Sequence, residues 1–261
     1  MLSRDKKYIN KATRVNYNIN KLERKVTMTN QELIKELRKY RNADLSDAMD
    51  ALGLVDKGTM DEKMKPLRPG IEFKGFAHTV KLLPKQDKVK ACETIEEWRE
   101  ELGKGCNDIY SFVDTVTEEN AKDMVIAIDM GGIRGGVWGS EISMNMMRRG
   151  VEGFIIDGGC RDSYETNLQE APVFCTRRTF THAYGRVTAG SIGEPIDCAG
   201  VTVRPGDIIC ADDDGVLVIP RDVAEDVIKF AKMQLEDDIK TRSEHYEKLG
   251  FEPDETLRRL D

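Results

Sequence analysis

At 261 residues, 39% hydrophobic and 33% charged, the chain holds enough apolar side chain for a packed core, which excludes global disorder, a collagen-like repeat and a coiled coil. The longest apolar runs are short, as in MVIAI at 124–128, against the roughly 20 residues that a membrane span needs. A net charge of −7 supplies no global field for nucleic acid.

Residues 1–27 stand apart, with Arg4, Lys6, Lys7, Lys11, Arg14, Lys21, Arg24 and Lys25 against Asp5 and Glu23. They read either as a basic arm for RNA or a membrane surface, or as a solvated, non-native extension, and the second is favoured. No apolar signal-peptide core is visible. Met28 resembles a natural start, because Thr29 and Glu32 form a capping box before Leu33, Ile34 and Leu37 at helical spacing. A second helix is expected over 44–53, capped by Asp44 or Ser46 and stopped by Gly53. Loop follows over 54–72, and 73–83 alternates as a strand.

Helices are expected over 93–103 and 107–119, and a buried strand over 124–129. GGIRGGVWG (131–139) reads as a glycine-rich loop before a helix over 140–149 ended by Gly150. A second buried strand, 153–157, leads into GGCRD (158–162). PVFCTR, GRVTAGSI, DIICAD and GVLVIP follow as strands, with Pro205-Gly206-Asp207 as a turn. An amphipathic helix is expected over 221–248, its stripe formed by Val223, Val227, Phe230, Ala231 and Leu235.

Chemistry concentrates at 129–162. Glycines let a backbone approach a ligand, and a helix N-terminus offers unpaired N–H groups, so Gly135, Gly136, Val137, Trp138 and Gly139 suit a carboxylate or phosphate. The bland alternative is tight packing with no ligand. Neither a Walker loop nor a GxGxxG fingerprint is present. Arg161 suits bidentate grip of a carboxylate, and Asp162 suits a hard divalent cation. Trp138 is balanced between pocket wall and core. His182 reads as structural or exposed, Asp212-Asp213-Asp214 as a turn, the Met144, Met146 and Met147 cluster as packing, and Cys160 as lacking a base. The six cysteines form no CxxC pair and the three histidines are scattered, which fits reduced thiols in a cytoplasmic protein and no zinc site.

The run from the glycine loop and WG through RGVEGFIIDGGCRD, PVF and VRPGDIICADDDGVLVIP resembles the RraA-like family, with LSDAMDALG and FKGFAHTVK in support. This family includes 4-hydroxy-4-methyl-2-oxoglutarate aldolases with oxaloacetate decarboxylase side activity, and regulators of ribonuclease E. The resemblance implies an α/β swivelling β/β/α-type sandwich, with N-terminal and long C-terminal helices around it. It divides the chain into an extension (1–27), a catalytic domain (28–230) and a helical tail (231–261). It implies a homotrimer or hexamer with sites between subunits, Mg²⁺ or Mn²⁺, and a pyruvate-like 2-oxo acid. Asp162 would anchor the metal, Arg161 the 2-oxo acid, and Asp47 would come from a neighbouring subunit. Neither nucleic acid nor membrane is an implied partner. Where the aldolases carry an acid this chain has Ser140, with Glu141 one residue later, a shift of about 100° on a helix. A carbon–carbon lyase is the leading expectation. A non-catalytic ribonuclease regulator is the alternative, and methyl transfer is excluded by the lack of a suitable glycine loop.

Overall fold

A computed structural model of the chain describes residues 28–257. The basic segment 1–27 and the last four residues lie outside the described part. Helices α1 (Asn30–Leu37) and α2 (Asn42–Ala51) precede strands β1 (Lys65–Pro66) and β2 (Phe73–Pro84). Then come α3 (Ile95–Ile109), a 3₁₀ turn (Ser111–Thr115), β3 (Met124–Asp129), β4 (Gly136–Trp138), α4 (Ser140–Arg149) and β5 (Gly153–Cys160). The remainder is α5 (Ser163–Leu168), β6 (Val173–Arg178), β7 (Val187–Ile192), β8 (Ile196–Cys198), β9 (Val201–Val203), β10 (Ile208–Asp212), β11 (Gly215–Ile219), α6 (Ala224–Leu249) and a final 3₁₀ turn (Glu255–Leu257).

One nine-stranded mixed sheet orders β1-β6-β5-β3-β2-β10-β11, with β4 on β5 and β7 on β2. The centre is parallel: β2, β3, β5 and β6 run together. Both its faces are covered, so the central strands β3 and β5 carry the unbroken apolar runs VIAI (125–128) and FII (154–156) rather than an alternation. On β3, Ile126 and Ile128 enter one core with Phe154, Trp138 and Met146. Val125 and Ala127 enter the opposite core with Ile155, Phe174 and the β8–β9 hairpin. A third core joins Leu33, Leu45 and Val227 of the helices to Ile208, Leu217 and Ile219 of the antiparallel strands. This is the expected α/β layered architecture.

Several boundaries differ from expectation. Helix α2 starts at Asn42, because Asn42 N donates to the Asp212 carboxylate at 3.0 Å and its side-chain amide donates to the Cys210 and Gly215 carbonyls. Asp44 is therefore not the cap but the acid at the third helical residue, whose carboxylate accepts Arg41 N–H at 2.9 Å. The region given two helices holds one, α3, followed by a 3₁₀ turn. Gly105 lies inside α3 because a methyl there would sit 2.4 Å from the Tyr184 ring. The 131–139 loop contains β4, paired in parallel with β5. Both α5 and the β8–β9 hairpin were not anticipated; the hairpin turns at Ala199 and Gly200, both at positive φ. The expected division at 230/231 falls inside α6, whose Ala231 and Leu235 are buried in the same core as Val227. Among the described residues, no helix is long and apolar enough to cross a membrane.

Candidate active site

Strand β5 delivers Arg161 and Asp162 to one end of the parallel sheet. Arg161 N donates to Trp138 O at 2.8 Å, extending the β4–β5 ladder by one residue. The chain then reverses at Asp162, whose φ of 52° is left-handed, and α5 begins. Such a backbone is uncommon outside glycine, and short polar side chains tolerate it best. Thr166 stabilises the bend by donating N–H and hydroxyl to Asp162 O, both at 2.9 Å. The reversal sets the two side chains on the same side, with Arg161 Nε donating to Asp162 Oδ1 at 3.1 Å. Their side chains are 33% and 34% exposed, neither plugged into the interior nor splayed apart.

Gly139 meets this pair. A methyl on Gly139 would lie 2.6 Å from Asp162 Oδ2 and 3.2 Å from Arg161 Cγ. The same residue is the N-cap of α4 and supplies no capping side chain. The first-turn N–H groups of Ser140, Glu141 and Ile142 therefore have no partner within the helix, and their partial positive charge faces the pair. Ser143 holds this turn in place: its hydroxyl donates to Gly139 O at 2.7 Å and accepts Trp138 Nε1–H at 2.9 Å.

A cavity of about 990 Å³ opens here, with Gly139, Glu141, Arg161, Asp162, Tyr110 and His182 among its walls. Ser140 is buried, whereas Glu141 is exposed among the cavity walls. Tyr110 donates its hydroxyl to Val137 O at 2.8 Å, and burial pushes its pKa well above the ordinary phenol value. Burial likewise raises the Cys106 thiol, against the pull of Arg161, so neither group supplies an anionic nucleophile.

His182 belongs to this site, which the sequence reading missed. It lies in a loop bridged to Gly136, twenty residues beyond Asp162, and no local pattern announces that contact. Its Nδ1 accepts Tyr184 N–H at 2.8 Å, which leaves the proton on Nε2. Burial first, then Arg161 and Arg186, lower its pKa, so at neutral pH it is a neutral donor.

Other expected residues stand elsewhere. Gly136 N donates to Thr181 O at 2.9 Å, and a methyl on Gly159 would lie 2.3 Å from Gly135 O. Gly135 and Gly136 thus serve close strand packing, and Val137 is buried; none of the three lines the cavity. The cavity wall starts at Trp138, three residues later than expected. Trp138 is fully buried, with ring centroids 4.6 Å from Phe154 and 6.3 Å from Phe112, and it also lines the cavity, so it serves both core and pocket wall. Asp47 is exposed on α2, which packs on α6 and β11, and it is not a wall of its own chain's cavity. Asp212 accepts N–H groups from Asn42 and Asp214 in the β10–β11 turn.

Among the described residues, no three His, Cys, Asp or Glu side chains gather as a cage for a metal. A hard dication that keeps several waters needs only one or two carboxylates, and half-exposed Asp162 with Glu141 on the same wall suits that donor set.

The RraA-like family model, described as Aldolase/RraA, matches residues 42–218 and so spans most of the chain, including the whole Arg161–Asp162 site. The chain belongs to the RraA-like family. Protein DlpA of Legionella pneumophila is 34% identical over 203 residues, which cover 77% of this chain but only 29% of DlpA. A Halalkalibacterium halodurans protein, provisionally named a 4-hydroxy-4-methyl-2-oxoglutarate aldolase, is 28% identical over 79% of this chain and 85% of its own. The crystal structure of Streptomyces coelicolor RraAS2, titled an unusual member of the RNase ES inhibitor RraA protein family, superposes with a TM-score of 0.67 at 21% identity, over 82% of this chain and 97% of that one. That likeness establishes the shared fold.

Proposed function

We propose that this RraA-like protein is a divalent-metal-dependent carbon–carbon lyase for a small 2-oxo acid. Its reaction is aldol cleavage of a 4-hydroxy-4-methyl-2-oxoglutarate-type substrate, decarboxylation of oxaloacetate, or both. The observation that carries this reading is the Arg161–Asp162 pair, 3.1 Å apart, set beside the uncapped N-terminus of α4 in one cavity.

The substrate's carboxylate and 2-oxo oxygen need positive charge, and Arg161 and the α4 N–H groups supply it. Asp162 would hold Mg²⁺ or Mn²⁺, which when bound supplies Lewis-acid polarisation of the 2-oxo group. In aldol cleavage Glu141 takes the proton of the 4-hydroxyl. The C3–C4 electron pair then moves to C3, leaving a pyruvate enolate. Arg161 and the Nε2–H of His182 stabilise its oxygen, and the proton returns at C3 to give pyruvate. Decarboxylation needs the same electron sink without the base. Asp47, outside its own chain's cavity, acts across a subunit contact in a homotrimer or hexamer.

Pyruvate release from oxaloacetate and from 4-hydroxy-4-methyl-2-oxoglutarate, with Mg²⁺ and with chelator, tests the proposal. Metal-dependent turnover that falls to background in Asp162→Ala is the expected result, with Arg161→Gln lowering kcat/KM about 10²–10³-fold. Absence of turnover on both acids in the wild-type protein, joined to tight binding of an endoribonuclease, would favour the regulator reading instead.

A further inference from the structure

A second cavity, of about 410 Å³, opens at the opposite end of the parallel strands, where Lys122 and Asp123 lead into β3. Its walls include Asn30 at the start of α1, Phe76 and His78 on β2, and Arg221 just beyond β11. It shares no residue with the Arg161–Asp162 cavity.

Positive charge here is not balanced. The Arg221 guanidinium lies over the Phe76 ring, 5.7 Å from its centroid, and Nη2 donates to Asn30 Oδ1 at 3.0 Å. Its Nη1 is sealed from solvent and has no acceptor among the described residues. The neighbouring acids are engaged elsewhere. Asp207 accepts the backbone N–H of Arg204 at 2.8 Å and that of Arg221. Asp123 accepts Arg38 at 3.2 Å. Among the described residues neither Arg221 nor Lys122 forms an ion pair. His78 adds no negative charge: the Thr115 hydroxyl donates to Phe112 O, so His78 Nε2–H donates to Thr115 at 3.0 Å. Arg221 as a whole is half-buried, but a buried guanidinium nitrogen left without a partner asks what ion is missing.

We propose that this cavity is a binding site for a small oxyanion, with Arg221 and Lys122 providing the charge and Phe76 an apolar floor. Phosphate and a small organic acid share that chemistry. Their size suits the cavity, and binding at this site is independent of the lyase reading.

Calorimetric titration and thermal unfolding of the full chain test this, using inorganic phosphate in one arm and succinate in the other, with ionic strength held constant by sodium chloride. The wild-type protein should bind at least one of the two and show a Tm that rises with its concentration. Arg221→Gln and Lys122→Gln should each weaken that binding at least tenfold, while Arg221→Lys retains part of it. Arg161→Gln, which disables the other anion-attracting cavity, should leave it intact. Binding in the phosphate arm alone identifies an inorganic source, and in the succinate arm alone an organic one. The proposal is overturned if neither anion binds, if binding vanishes in Arg161→Gln, or if Arg221→Gln and Lys122→Gln bind as the wild type does.

Discussion

At the scale of single residues, the site depends on how closely Gly139 approaches the charged pair. Gly139→Ala places a methyl 2.6 Å from Asp162 Oδ2, and the carboxylate must move. Pyruvate release should fall by at least tenfold while far-ultraviolet circular dichroism stays unchanged; full activity in this variant would mean Asp162 is not held where the chemistry needs it. His182 carries a second consequence. Its pKa lies below the ordinary 6.5 in the folded chain, chiefly through burial. Between that lowered value and 6.5 the unfolded chain binds the proton more readily, so stability present at neutral pH is lost as pH falls through this window. His78, also lowered by burial, acts with the same sign. Urea midpoints measured from pH 7.5 to 5.5 should drop, and the drop should be smaller in His182→Asn. The pairing of Arg161 with Asp162 was legible from adjacent letters after a buried strand. The left-handed bend that turns them to one side was not, because nothing in the letters specifies φ at Asp162.

At the scale of elements, α4 is the working part and Arg149 fastens it. The Arg149 guanidinium donates to the carbonyls of Val113, at 2.9 Å, and Val116, and to Asn145 Oδ1 at 3.1 Å. It thereby ties the helix to the 3₁₀ turn on the other side of the cavity. Arg149→Met leaves these carbonyls without their donor. We expect a loss of about 1–3 kcal/mol in denaturant unfolding, with KM for the 2-oxo acid rising more than kcat falls. The helix itself was evident from its period and from Gly150, which ends it at φ 98°. The glycine run before it was ambiguous, since close packing and ligand approach both favour glycine. The structure divides the run: Gly135 and Gly136 pack against strands, and Gly139 faces the cavity.

At the scale of the whole molecule, the question is where Asp47 acts. Helix α2 sits with α6 against β10 and β11, on a different layer from the cavity. Within one chain Asp47 has no access to Arg161 and Asp162. If sites form between subunits, Asp47→Ala and Asp162→Ala proteins are each inactive alone and regain activity when their subunits are exchanged. Failure to regain any activity in mixed oligomers, shown by mass spectrometry to have formed, would remove Asp47 from the mechanism. The layered fold was readable because β3 and β5 carry the unbroken apolar runs VIAI (125–128) and FII (154–156), which require cover on both faces. The small β8–β9 hairpin escaped notice because three-residue strands carry too little pattern.

The amino-acid sequence by itself determined the elements with strong periodicity, the capping box at Thr29 and Glu32, and the neighbourhood of 129–162 as the place for chemistry. Those features depend on local spacing and on side-chain type. Tertiary structure alone decided that His182 joins the site, that Trp138 serves the core as well as the cavity wall, that this wall begins at Trp138 rather than at Gly135, and that Arg221 has no counter-ion among the described residues. Each of these is a contact between segments distant in sequence, set by strand register and chain reversal, and no window of neighbouring residues encodes it.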